Sequence, residues 1–234
     1  MLSERTNKIL AASVREFIRG GEPISSSLLF KCYDFGIRPA MIRFELNELT
    51  EAGYLEQPYH SSGRTPTDRG YEFFAQQVLQ EVPSPDAFDH SLFRWFERQA
   101  WPELLTQLSD TLGLLGVATD FRHGEVYKDG LDELVSHMQW SRPDIESVIH
   151  DFEELDERLT HARSVLDDED FLKVFVGRKS PVTKSECLSV MAGDYDCNGT
   201  RMLLFAIGPK RMDYEKTAAI FKGLKQNQKL KSKD

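Results

Sequence analysis

The chain has 234 residues, room for one large domain or two small ones, with 40% hydrophobic and 29% charged residues, an ordinary globular balance. A net charge of -9 weighs against nucleic acid binding over the whole surface, and no apolar run approaches the ~20 residues that span a bilayer. The start, Met1-Leu2-Ser3-Glu4-Arg5, lacks the apolar core of a signal peptide, so a cytoplasmic chain is expected.

In chain order, Ser3 can cap a first helix in which Ile9, Leu10, Val14, Phe17 and Ile18 recur at helical spacing, and Gly20-Gly21 stops it. Pro23 sits in the turn. Ser25 to Ser27 offer an N-cap for a short second helix, with Leu28 and Leu29 expected on one face and Gly36 at its end. Arg38-Pro39 opens a third helix. Ile42, Leu46 and Leu49 line its inner side; Ala40, Phe44 and Asn47 lie opposite, with Arg43 on the flank. After Gly53 the spacing predicts a strand over Tyr54 to Pro58, a loop His60-Ser61-Ser62-Gly63-Arg64, and a return strand from Thr65. Thr67-Asp68 then caps a helix through Tyr71, Phe74, Val78 and Leu79.

That order is the order of a winged helix-turn-helix, whose third helix can enter a DNA major groove while the hairpin touches the backbone. Arg43 and Asn47, four apart, are neighbours along the axis and suit guanine and adenine edges. Phe44 is expected to touch a thymine methyl or to pack on the hairpin. Ser26, Arg38 and Arg64 are expected at phosphates, with His60 and Ser62 beside them on the loop and Ala40 on the DNA-facing side of the third helix. The N-terminal part is near neutral overall, but its arginines gather at Arg38, Arg43, Arg64 and Arg69. Local charge, not the global sign, decides phosphate contact.

Residues 81–89, with Pro83 and Pro85, read as a linker. An amphipathic segment from His90 to about Leu115 follows, with Phe93, Phe96, Leu104, Leu105, Leu108 and Leu112 beside Trp95 and Trp101. It reads as core, or as a dimer interface. The stretch Leu131 to Leu166 is helical, with Leu134, Met138, Ile145, Val148, Ile149, Phe152, Leu155 and Leu159 on its stripe. Acidic residues such as Asp167-Asp168-Glu169-Asp170 read as solvated. Strands are expected at Phe171 to Val176, Leu188 to Ala192 and Met202 to Ile207, the last two joined by an Asn198-Gly199 turn. Asp213 can cap a closing helix through Leu224, and 226–234 read as a frayed basic tail. The three cysteines, Cys32, Cys187 and Cys197, make no CxxC pair and are expected as reduced, buried thiols; scattered histidines give no metal site. No nucleophile–base pair or phosphate-binding glycine loop occurs, so neither catalysis nor a cofactor is expected.

Several stretches together resemble the bacterial heat-inducible transcription repressor family, HrcA. They are Leu2-Ser3-Glu4-Arg5, Gly21-Glu22-Pro23-Ile24, Pro39-Ala40 with Ile42-Arg43, Gly53-Tyr54-Leu55-Glu56-Gln57-Pro58, Ser62-Gly63-Arg64 with Pro66, and Gly70-Tyr71. A second set, Ile207-Gly208-Pro209 with Arg211-Met212-Asp213-Tyr214, lies near the other end. The resemblance implies an α+β chain: an N-terminal winged helix-turn-helix (1–80) joined to a GAF-like α/β domain with an antiparallel sheet (90–225). It also implies a homodimer on an inverted-repeat operator upstream of chaperone genes, with a GroE-type chaperonin as a further partner. Against the family pattern the chain is short, passing from the helix near Leu115 almost directly to Val126-Tyr127, so the effector domain is expected in reduced form. Phe44 stands where the family usually has a polar residue, and Ser27 where it often has Arg.

Overall fold

A computed structural model of the chain describes residues 2–59, 62–81, 90–120, 124–136, 140–162, 170–197 and 199–231. Residues 82–89 of the expected 81–89 linker, Met138, residues 163–166 of the expected helical stretch, Asp167 to Glu169, Asn198 and the last three residues of the expected tail lie outside the described residues. Contacts divide the chain into two compact units, Met1–Gln77 and Val78–Asp234.

In the first unit, α1 (Glu4–Gly20) starts where Ser3 Oγ accepts from the Thr6 amide and ends at Gly21, whose φ of 70° lets its N–H reach Phe17 O. Ser25 caps α2 (Ser26–Cys32), and Pro39 opens α3 (Pro39–Glu51). A minimal antiparallel pair follows, β1 (Leu55–Glu56) and β2 (Thr65–Pro66), then α4 (Asp68–Gln80). Ile9, Leu10, Val14, Leu29, Ile42, Leu46, Leu49, Leu55 and Phe74 fill the core.

Two expectations for α2 are corrected. It stops at Cys32, four residues short of Gly36, because Tyr33 turns extended and its hydroxyl donates to Glu16 Oε1 at 2.7 Å. Leu28 is 36% exposed while Leu29 is fully buried, since successive helix residues are about 100° apart and cannot share one face.

The second unit is an all-antiparallel five-stranded sheet with helices on both faces. Its strands are β3 (Leu115–Asp120), β4 (Glu125–Asp129), β5 (Leu172–Val176), β6 (Leu188–Cys197) and β7 (Thr200–Pro209), in the spatial order β4-β3-β7-β6-β5. Leu115, Val117, Leu188, Val190, Ala192, Leu203, Phe205 and Ile207 point to one face. There they meet α7 (Leu131–Ser136), α8 (Arg142–Glu153) and α9 (Leu155–Ala162) through Leu134, Val148, Leu155, Leu159 and Ala162. The alternate residues meet α5 (His90–Glu97), α6 (Trp101–Leu112) and α10 (Tyr214–Lys231). Phe96 stacks edge-on against Tyr195 with ring centroids 5.0 Å apart, and the Tyr195 hydroxyl donates to Phe221 O at 2.9 Å.

The expected single helix to Leu115 is two helices, broken where Gln99 takes a φ of 54°, and Gly113 closes the second. Leu115 to Asp120 is not a helix end but strand β3, pairing β4 on one side and β7 on the other. Ile149, placed on the apolar stripe, is 44% exposed. Strands β6 and β7 run five and four residues longer than expected, with their register closing at Cys197↔Thr200. The closing helix continues to Lys231, where a frayed tail was expected: Lys225 Nζ donates to Asp194 O at 2.8 Å and Gln228 Nε2 to Asp196 O at 2.7 Å.

The cysteines split. Cys197 is buried and Cys187 half-buried, and burial pushes both thiols up to about 11. Cys32, expected inside, is exposed because it ends α2 on that helix's outward side. Titration with a disulfide reagent at pH 8 is expected to modify Cys32 within minutes and the other two only after denaturant is added. Three thiols reacting together would contradict this packing.

Candidate nucleic-acid interface

Two features set the exposure of α3. Its inner stripe holds Ile42, Leu46 and Leu49, each at most 3% exposed. Between them sits Glu45, 6% exposed, whose carboxylate accepts from Arg5 Nε and Nη2 at 3.0 and 2.9 Å and from Thr6 Oγ1 at 2.8 Å. A buried carboxylate is tolerable only when its lone pairs are occupied. Glu45 therefore fixes the angle at which α3 crosses the start of α1. The sequence reading missed it, although its place three residues after Ile42 puts it on the inward stripe.

The outward side of α3 carries Ala40, Met41, Arg43, Phe44, Asn47 and Glu48, all exposed. Phe44 is 56% exposed and Met41 46%, so Phe44 is presented outward and not folded away onto the hairpin. Arg38 is the exposed N-cap residue, with no side-chain cap bond. Among the described residues, neither Arg38 nor Arg43 has a side-chain hydrogen bond or ion pair, which leaves two guanidinium groups with donors to spend. Ser26 is different: at 8% exposed it is the first residue of α2 and largely covered, while its neighbour Ser25 does the capping.

The hairpin beside α3 is tightly knitted. Ser62 Oγ donates to Tyr59 O at 2.7 Å and accepts from the Tyr59 amide at 3.2 Å, so this hydroxyl is spent on holding the loop. His60, the other loop residue expected at the interface, lies outside the described residues. Tyr59 is 73% exposed at the same end, and the sequence reading did not single it out. Gly63 passes so close to the turn before α2 that a Cβ there would stand 2.6 Å from Ile24 O and from Pro23 C and O. Arg64 then pairs with Ile24 through both backbone bonds, each 2.8 Å.

The Arg64 side chain turns back onto α3. Its Nη2 donates to Asn47 Oδ1 at 2.6 Å, its Nε to Thr50 Oγ1 at 3.0 Å, and its Nη1 approaches Ser62 O at 3.5 Å. Arg69 also serves the fold: Nη1 donates to Ala52 O at 2.6 Å, beside the C-terminal end of α3, and its guanidinium lies 4.2 Å over the Tyr54 ring. Of the expected site residues, Ala40, Arg43, Phe44, Asn47 and Arg64 gather on α3 and the hairpin base. Arg38 stands at the head of α3, and Ser26 is set inward.

The fold is thus α+β: a small helical unit with a two-stranded hairpin, followed by an antiparallel sheet covered by helices on both faces. A crystal structure of a hypothetical protein has the same fold, with a TM-score of 0.77 and 16% identity over 96% of both chains. The family described as HrcA protein C terminal domain matches residues 76–218, more than half of the chain, and the chain belongs to that family. It is similar to the heat-inducible transcription repressor HrcA of Symbiobacterium thermophilum, 35% identical over 119 residues, covering 51% of this chain and 35% of that one. The repressor of the same name from Carboxydothermus hydrogenoformans is 39% identical over 116 residues, covering 50% of this chain and 33% of the other. The matched stretch spans about a third of each relative's own length. No helix among the described residues is long and apolar enough to cross a membrane.

Proposed function

We propose that the chain is a DNA-binding transcriptional repressor of heat-shock (chaperone) genes, with the first unit a winged helix-turn-helix and the second a reduced GAF-like domain. The observation that carries this is the outward side of α3, where Arg43, without a side-chain partner among the described residues, stands beside Asn47 and next to a hairpin locked against the same helix. In this reading α3 enters the major groove, Arg43 pairs with a guanine edge, Asn47 and Phe44 contact neighbouring bases, and Arg38 takes a phosphate. Ala40 permits close approach, while His60, Ser62 and Tyr59 bring the hairpin to the backbone. Ser26, being covered, offers the DNA its place at the helix N-terminus more than its hydroxyl.

One such module discriminates weakly. Two joined in a homodimer make the second contact intramolecular, and two-fold symmetry calls for an inverted-repeat operator. Blocking a promoter needs no catalysis, and the chain acts in the cytoplasm at the nucleoid. A GroE-type chaperonin as regulator follows from the family resemblance.

The test is a gel shift against duplexes from upstream of chaperone genes, at several salt concentrations. Arg43→Ala is expected to lower specific affinity by about 10- to 100-fold, with little change for random duplex. A protein that prefers no inverted repeat over random DNA is not this repressor. The exposed Phe30, Phe44 and Met41 favour one rival, a winged-helix module that docks protein, and the same null result would turn attention to it.

A further inference from the structure

Arg64 ties the hairpin to α3. Its backbone is pinned to Ile24, its Nε to Thr50 and its Nη2 to Asn47. Arginine has five donors and no acceptor, so the Asn47 atom facing it has to be the carbonyl oxygen. This settles the amide orientation on chemical grounds: Oδ1 is turned toward the hairpin and the NH₂ group is the end left over. A free asparagine can present either end and pairs with adenine through both. An asparagine held this way offers donors first.

We propose that Arg64 is a positioning residue for base recognition, a strap from hairpin to α3 that sets the Asn47 amide with its N–H donors toward an acceptor on a base edge. This rests on the DNA-binding reading and deepens it. The strap spends the Arg64 charge on the protein: two of its three nitrogens hold α3, so its part in binding is carried by Asn47 and not by a phosphate. The hairpin and the reading helix then work as one piece, with the Gly63 approach to Pro23 and Ile24 anchoring the strap at its other end.

The two roles for Arg64 separate cleanly by experiment. The chain and its Arg64→Lys, Arg64→Ala, Asn47→Ala, Thr50→Val and Arg64→Lys/Asn47→Ala variants are each used to select duplexes from a randomised library. Lysine keeps the charge but cannot bridge Asn47 and Thr50 in one plane. The expected result is that Arg64→Lys and Asn47→Ala lose preference at the same base-pair position, by roughly tenfold or more. The double variant should lose no more than either single one. Thr50→Val removes the second anchor without touching charge or Asn47, and should weaken the same position in part. Thermal melts confirm that each variant is folded.

Arg64→Lys that selects the wild-type motif with near wild-type affinity overturns the proposal and leaves the repressor reading standing. So does Arg64→Ala that weakens all duplexes alike while reducing the salt slope by about one, the signature of a phosphate contact. A wild-type chain that enriches no sequence overturns both.

Discussion

Replacing Asp151 with alanine is expected to cost the second unit about 3–5 kcal/mol, the range for breaking a buried charge pair on one side. Asp151 is 3% exposed near the end of α8. Its carboxylate accepts from Arg158 Nη1 on α9, from the Lys184 amide at 2.8 Å and from the Ser185 amide at 2.9 Å. One side chain thus holds the turn between two helices and the loop that leads into β6. Truncation strands two backbone donors and leaves Arg158 with Glu154 alone. Asp151→Asn keeps the shape and one acceptor, and is expected to cost less than half as much. Burial by itself would raise the pKa of this carboxyl, but the hydrogen bonds from Ser185, Lys184 and Arg158 outweigh it and hold the pKa below the ordinary value of 3.8. A depressed carboxyl stabilises the fold fully above its unfolded value and loses that contribution as pH falls through the folded one. Urea melts should therefore show wild type well ahead of Asp151→Asn at pH 7, with the gap narrowing below pH ~4. A gap that is constant from pH 7 to pH 2 would show that the charge contributes nothing.

Gly63→Ala is expected to destabilise the first unit by about 3 kcal/mol, at the upper end of ordinary overpacking. The added Cβ meets three backbone atoms of Pro23 and Ile24 at 2.6 Å, and backbone cannot swing aside as a flexible side chain would. The hairpin must lift, and the Ile24–Arg64 bridge opens with it. Amide exchange offers a direct check: the Arg64 N–H, protected by Ile24 O, should exchange far faster in the variant. Gly20→Ala is the matched control, because nothing lies within 4 Å of its would-be Cβ and alanine is the better helix former. It should stabilise by about 0.5–1 kcal/mol. Equal effects at the two glycines would refute the steric account.

The first unit was largely legible because its signals are local. Ser3, Ser25 and Pro39 mark helix starts, and Ile42, Leu46 and Leu49 mark the buried side of α3, as found. What stayed hidden were contacts between distant residues. Arg64 and Asn47 are 17 apart in sequence, and no periodicity tells an arginine to bond back to a helix when it could reach outward. The Gly-Glu-Pro-Ile and Ser-Gly-Arg motifs look like separate landmarks until the Gly63 approach shows them to be two sides of one joint. In the second unit β3 was missed for a different reason. Leu115 to Asp120 is buried on every residue, so it lacks the alternation that marks a half-exposed strand, and it continues the apolar run of α6. The long hairpin of β6 and β7 was easier, its turn marked by Asn198-Gly199.

The strand order of the sheet has a consequence for how the second unit assembles. The β3–β4 and β5–β6 pairs each join neighbours in sequence, and they touch only through β7. Leu115 has to wait for Ile207, with α7, α8, α9 and the strands β4 to β6 lying between them in the chain. During synthesis the two ribbons can form early, but neither can find the other until the last strand has left the ribosome. Closing so long a loop costs entropy before any contact repays it, so the central pairing is the slow step. Thr200 to Pro209 is the keystone: a chain halted just before it would hold two short, open-edged ribbons in place of a sheet.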